Sequence, residues 1–152
     1  MPALIELKIE KLPEIKKLFK QYPQIISERM DVAVQRAGLM IERSAKRFAP
    51  VNKQSGGGNL RQSIRSFRTG LAKAVVMSGA NYSVYVHEGT RPHIIRPVRK
   101  KGLANIRTGQ YFGKIVHHPG TRANPFLQKA IDSESQYIQS EFAKVIDNLP
   151  TT

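Results

Sequence analysis

"PQIISERMDVAVQRAGLMIERSAKRFAP", residues 23–50, is the stretch on which the fold turns. Ile26, Met30, Ala33, Ala37, Met40 and Ser44 recur at steps of three or four, the spacing of one face of an α-helix. The pattern predicts a helix of about 25 residues with a narrow apolar stripe and a charged back. The small Ala33 and Ala37 on that stripe allow close approach to a sheet. Ala49-Pro50 ends the helix, because a proline disfavours helical geometry in the residue before it.

Outward from this helix the period changes. Upstream, "LIELKIE" (4–10) sets Ile5, Leu7 and Ile9 against Glu6, Lys8 and Glu10, the alternation of a half-buried strand. "LPEIKKLFKQY" (12–22) reads as a short helix with Pro13 in its first turn. Downstream, "VNKQSGGGN" (51–59) is a mobile loop by composition, since Gly56, Gly57 and Gly58 cannot be held cheaply in one conformation. A phosphate cradle there would need Gly-Lys-Ser/Thr leading into a helix, whereas Asn59-Leu60-Arg61 follows. "SIRSFRTG" (63–70) and "AKAVVMSG" (72–79) read as strands around a turn at Gly70. "NYSVYVHEGT" (81–90) fits either a short helix closed by Gly89 or a strand. "PHIIRPV" (92–98) and "YFGKIVHH" (111–118) read as two further strands, joined by the basic, protruding loop "RKKGLANIRTGQ" (99–110). Asn124 then caps a closing helix with Pro125 at its first position. Its apolar face is Phe126, Leu127, Ala130, Ile131, Ile138, Phe142 and Val145. The expectation is a single α+β domain over residues 1–152 with mobile loops near 51–59 and 99–110. An antiparallel sheet of about four to five strands packs against the long N-terminal helix and the C-terminal helix.

Charge narrows the function. The 152 residues carry 25 Lys and Arg against 11 Asp and Glu, a net +14. Residues 31–122 hold 17 of the basic side chains and 3 of the acidic ones, so the basicity belongs to the folded middle and not to a tail. A folded surface of one sign implies an acidic neighbour, either nucleic acid or a protein face. With no Cys, a disulfide framework and a thiol nucleophile are excluded. No apolar run approaches the roughly 18 residues of a membrane span, and the N-terminus lacks a signal-peptide pattern, so a soluble protein is expected.

Catalysis and metal binding find little support. The histidines are His87, His93, His117 and His118, and the adjacent pair would point to opposite faces of a strand. Between residues 43 and 131 the one acidic side chain is Glu88, so paired carboxylates for acid/base work are missing. No enzyme activity, metal or cofactor is expected. Non-specific nucleic-acid binding is the rival reading, with basic side chains neutralising phosphates and Tyr82, Tyr85 and Tyr111 available to stack.

The order of the pieces carries a resemblance. A helix ending in "FAPVN", a glycine-rich gap, "GNLRQSI", two strands, "NYSVYVHEGTRPHII" and then "VHHPGTRANPFLQKAI" follow one another. Over roughly residues 25–147 this resembles the tail-component (neck and tail-completion) protein family of long-tailed bacteriophages, which is similar in architecture to tail terminators. It departs from the family pattern at the triple glycine, where an acidic residue and a threonine commonly precede the glycine. The resemblance implies a structural virion protein of the neck or tail end that forms a homo-oligomeric ring, its copy number a multiple of six, joining or completing the head–tail connection. Its implied partners are a head connector or head-closure protein, a tail tube or tail terminator protein, and non-specifically the DNA of the channel, with no membrane. It would reside in the virion, and in the host cytoplasm during assembly. Tyr82, Val84 and Val86 are expected to fill the core or a subunit contact. The expected assembly or DNA-channel contacts are Arg91, His93, Arg96, Arg99, Lys100, Lys101 and Arg107, with further loop contacts at Lys53, Gly56, Gly57, Gly58 and Asn59.

Overall fold

Helix α1 runs from Pro23 to Phe48, as its periodicity predicts. The computed structural model describes residues 4–5, 23–51, 57–98, 101–105 and 108–147. The expected helix at 12–22, most of the strand at 4–10 and most of the glycine loop lie outside them. The other elements are β1 (Leu4–Ile5), α2 (Asn59–Ser63), β2 (Ile64–Gly70), β3 (Lys73–Ser78), α3 (Ser83–Glu88), β4 (His93–Ile95), β5 (Leu103–Ala104), β6 (Tyr111–Gly113), β7 (Val116–His118) and α4 (Phe126–Asp147).

Two partners flank α1, so its buried face is wider than the predicted stripe. Ile26, Met30 and Ala33 cluster with Val145 of α4. Ala37, Ile41 and Ala45 join Leu60, Ile64, Val76, Phe126, Leu127, Ala130 and Ile138 in the main core. Met40 is only half-buried, and Ile41 takes the place expected for it. The close approach to the sheet is made at Gly38, where a Cβ would stand 2.5 Å from Ser66 Oγ and 3.4 Å from Ala74 Cβ. Ala33 and Ala37 lie instead in the clusters shared with α4.

The class is α+β, but the expected sheet of four to five strands does not form. β1, β3 and β2 make a three-stranded antiparallel sheet in that order, while β4–β7 and β5–β6 are separate two-stranded ribbons. "YFGKIVHH" does not run as one strand because Gly113 turns at φ 94°, dividing it into β6 and β7. Pro92 and Pro97 confine β4 to the residues between them, since proline supplies no ladder donor. The 99–110 connection holds β5 and its pairing with β6. The β2–β3 register, Gly70 opposite Lys73, leaves Leu71 and Ala72 as the hairpin loop.

The expected cap by Asn124 does not form, since α4 begins at Phe126 with the Pro125 carbonyl accepting from Lys129 N; Asn124 serves as a joint instead. Its carbonyl accepts from Phe126 N (2.7 Å), its side-chain nitrogen donates to the Phe48 carbonyl (3.2 Å) and its Oδ1 accepts from Lys129 (2.7 Å). The last carbonyls of a helix lack partners within it, and Asn124 thereby ties the end of α1 to the start of α4.

Carboxylates hold the long helices and the sheet in register. Glu134 of α4 accepts from Ser44 Oγ and lies 3.1 Å from Arg47, and Glu141 lies 3.3 Å from Arg36 and beside Lys144. Asp31 of α1 accepts from Arg68 Nε (3.0 Å) and from the Ala72 N–H (3.1 Å). Glu42 accepts from Lys46 and from the Ser66 N–H (2.7 Å), occupying a backbone donor of strand β2. Lys144's hydrogen bond leads the effects that hold Glu141 below its ordinary carboxylate value, with Arg36 adding to it against a smaller effect of burial. For Asp31 and Glu42, burial is the largest single influence and pushes upward. Their hydrogen bonds and neighbouring cations together outweigh it and hold both below their ordinary values.

A native value below the unfolded one contributes stability that is present above the unfolded value. That contribution is lost as pH falls through the native value. The urea midpoint is therefore expected to fall between about pH 5 and about pH 3, as these carboxylates are protonated. A midpoint that stays level over that interval would refute the role given to them.

Candidate functional site

Helix α3 carries the site because its two faces differ. Toward the interior, Ser83 is fully buried, Val86 packs on the main core and the His87 ring meets Phe126 edge-on, centroids 5.4 Å apart. Toward solvent stand Tyr85, 61% exposed, and Glu88. Of the residues expected in a core or subunit contact, Val86 is half-buried against the core, Val84 is half-buried in the wall of a cleft, and Tyr82 is outside the core, well exposed at the helix start.

Gly89 stops α3 at φ 76°, ψ −176°, a region open in practice to glycine alone. The chain then enters a clamp. Thr90 N donates to the Thr121 carbonyl (2.9 Å), Thr121 N donates to the Thr90 carbonyl (3.0 Å), and Asn124 N donates to the Val86 carbonyl (2.9 Å). The two paired segments share one tripeptide, Gly89-Thr90-Arg91 and Gly120-Thr121-Arg122. Both glycines have positive φ, and a Cβ on either would press into the backbone of the opposite segment, 2.8 Å from Ala123 N for Gly89 and 3.0 Å from Arg91 C for Gly120. The repeated Gly-Thr-Arg was the sequence signal for this clamp. It is missing from the expected site because a tripeptide repeat 31 positions apart says nothing of pairing until the chain returns on itself.

Val84, Tyr85, Glu88, Gly89, Thr90, Arg91 and His93 line an open cleft of about 610 Å³. Arg91 and His93 are thus brought together, with Glu88 and Tyr85 beside them. His93 Nδ1 donates to the Arg91 carbonyl (2.9 Å), and its ring stacks on His118 across the β4–β7 ribbon at 4.9 Å. His118 Nδ1 accepts from Gly120 N (3.1 Å), which fixes the clamp to the ribbon. Arg96 and Lys101 are exposed further along the chain, outside this lining. Gly57 is exposed, Gly58 precedes α2 at φ 137° and Asn59 begins α2. Arg99, Lys100, Arg107, Lys53 and Gly56 lie outside the described residues.

The electrostatics are lopsided. Asp31, Glu42, Glu134 and Glu141 are all engaged with cations around α1 and α4. Glu88 is left as the one acidic side chain between residues 43 and 131, and it has no partner among the described residues. Arg91 and His93 share its cleft, and Arg96, Lys101, Lys114, His117 and Arg122 are exposed elsewhere between residues 96 and 122. Ser83 Oγ, His87 Nε2 and Thr90 Oγ1, the buried side-chain polar atoms without a hydrogen-bond partner among the described residues, all belong to this one segment. Among the described residues no group of three or more His, Asp or Glu is placed to hold a metal ion, and no helix is long and apolar enough to cross a membrane.

The family model described as "Bacteriophage HK97-gp10, putative tail-component" matches residues 14–89, half of the chain. No curated protein and no solved structure matches. The matched span takes in α1, the glycine loop, the β2–β3 hairpin and α3, and it ends on the glycine that opens the clamp. By that match the chain belongs to the HK97-gp10-like family of bacteriophage tail components.

Proposed function

We propose that this chain is a structural, non-catalytic virion protein of the head-proximal tail end, assembling as a ring that joins or completes the head–tail connection. The observation that carries the reading is the tail-component family match over the helix, hairpin and α3. The fold supports it through the distribution of charge. Four carboxylates are engaged in holding α1, α4 and the sheet together, which leaves the clamp and ribbons cationic toward their surroundings. Such a face suits docking on acidic surfaces of a connector above or a tail tube below, steered at low salt. It also suits non-specific contact with phosphates of DNA in the channel, and the exposed Tyr82, Tyr85 and Tyr111 add stacking surface to that second reading. Docking is favoured because DNA must slide through the channel during ejection, and an adhesive lumen would slow it.

Electron microscopy of lysates from the phage lacking this gene tests the proposal. Full heads and finished tails accumulating separately are the expected result, and tails of abnormal length would move the role to tail termination. Normal infectious particles would overturn the structural reading. Tight DNA binding by the free protein at physiological salt, with a steep salt slope, would then bring the nucleic-acid reading forward.

A further inference from the structure

Resting on the ring just proposed, we infer that its subunits join through two different faces of this chain, with the Tyr85–Glu88 cleft of one copy receiving the outer face of the β2–β3 hairpin of the next. The receiving side is built from three observations. Glu88 is an unpaired carboxylate in a cationic field, placed at the C-terminal end of α3, where a negative charge is disfavoured. Tyr85 stands exposed three residues before it, about 5–6 Å away on the same helix face. Thr90 lines the same cleft with an unpaired buried hydroxyl. An aromatic ring beside a carboxylate is a receptor for a cationic side chain carried next to an apolar one.

The chain presents that complement itself. α1 covers one face of the sheet, against Ser66 and Ala74. By strand alternation Phe67 of β2 and Lys73, Val75 and Met77 of β3 lie on the other face, while Arg65 at the sheet edge reaches back to Glu42 of α1 (3.9 Å). There Phe67 remains 50% exposed, and Lys73 is exposed with no partner among the described residues. Phe67 pairs with Val75, so Lys73 is its diagonal neighbour at about 7–8 Å. An aromatic–cation pair on one face thus matches an aromatic–carboxylate pair on the other, at similar spacing. A partner with an acidic surface would set like charge against Glu88, whereas a second copy of this cationic chain does not. Contacts between unlike faces of identical subunits propagate head to tail and form a ring when the rotation between subunits closes, the topology the proposed function needs.

The chain has no cysteine, which makes the test direct. Phe67→Cys and Tyr85→Cys are prepared singly and together, with helical content checked by circular dichroism, and treated with a short bismaleimide in purified form and within particles. Mixing the two single variants is expected to give a crosslinked dimer, and the double variant a ladder of multiples of 17.1 kDa. Each single variant alone should give neither. Glu88→Lys placed in the Tyr85→Cys chain should lower the dimer yield at least about tenfold, and Lys73→Glu in its partner should restore it. Self-crosslinking of either single variant, a yield indifferent to Glu88→Lys, or the Tyr85→Cys chain joining a different protein in particles would overturn the inference. So would the absence of crosslinks in both preparations, provided that a second pair at the exposed flanking positions, Leu71→Cys and Tyr82→Cys, which keeps the Phe67 and Tyr85 rings, also gives none. Failure here alongside unjoined heads and tails in the gene-deleted lysate would remove this interface and leave the proposed function standing. Crosslinked ladders alongside normal deletion particles would do the reverse.

Discussion

Gly89→Ala is expected to lower folding stability by about 3 kcal/mol, whereas Gly38→Ala is expected to stay within about 1 kcal/mol of the parent. Both glycines are closely packed, yet the atoms they meet differ in kind. At Gly89 a methyl group would run into the Thr121 carbonyl and come within 2.8 Å of Ala123 N, and both belong to the backbone of the opposing segment. No side-chain rotation relieves that contact. The φ of 76° with ψ near 180° adds strain that alanine does not tolerate. At Gly38 the closest atom is Ser66 Oγ at 2.5 Å, the free end of a side chain that can turn away. Replacing glycine inside a helix also gains roughly 1 kcal/mol of intrinsic propensity, which offsets the adjustment. Urea midpoints of the two variants measured side by side decide the matter. Equal losses would mean that the clamp is not the rigid joint its geometry describes. Gly120→Ala should resemble Gly89→Ala, and the double variant should lose less than the sum, because the two changes break the same Thr90–Thr121 pairing.

Residues whose partners lie on their own element were legible in the sequence. Those whose partners arrive from elsewhere were not. The period of three and four residues located α1 to the residue, because a helix long enough to bury one side must repeat its apolar positions. The same pattern found the buried apolar residues of α4, but it passed over Glu134 and Glu141 on the same face. Their burial depends on Ser44, Arg47 and Arg36 of α1, which no local pattern in α4 reports. Gly70 marked the hairpin, while the number of strands was overestimated. A run such as "YFGKIVHH" has strand-like composition on both sides of Gly113, and its positive φ is visible only in the folded chain. At the site, the sequence marks Arg91 and His93 as expected contacts. Glu88, the one acidic side chain between residues 43 and 131, reads in the sequence as a carboxylate without the second one that acid/base work needs. Its standing as the unpaired acid of a cationic half emerges only once the other carboxylates are seen to be engaged.

Phe126→Ala is expected to cost about 3–5 kcal/mol, enough to unfold much of a domain whose total stability is of order 5–15 kcal/mol. The ring is fully buried in the main core, at the first residue of α4, where the end of α1 is tied in through Asn124. Removing it loses the transfer energy of a large side chain and leaves a cavity between α1, α4 and α3 that these helices can close only by shifting. Phe126→Leu should cost less, since a similar volume keeps that space filled.

The loss should not be uniform. α3 rests on this ring through the edge of His87, and its own contribution to the core is small, chiefly Ser83 and Val86. Hydrogen exchange in Phe126→Leu is therefore expected to quicken first along α3 and the Gly89–Arg91 clamp segment, with α1 retaining its protection. Were protection to fall evenly across the chain, α3 would be an integral part of the core rather than a helix seated upon it. The cleft that faces outward from α3 would then be as rigid as the domain itself. A selective loss would place the cleft on the least firmly held element of the described fold. That is the position expected of a surface whose remaining contacts are supplied by a neighbouring subunit, and the unpartnered Thr90 hydroxyl lies in the lining of that cleft.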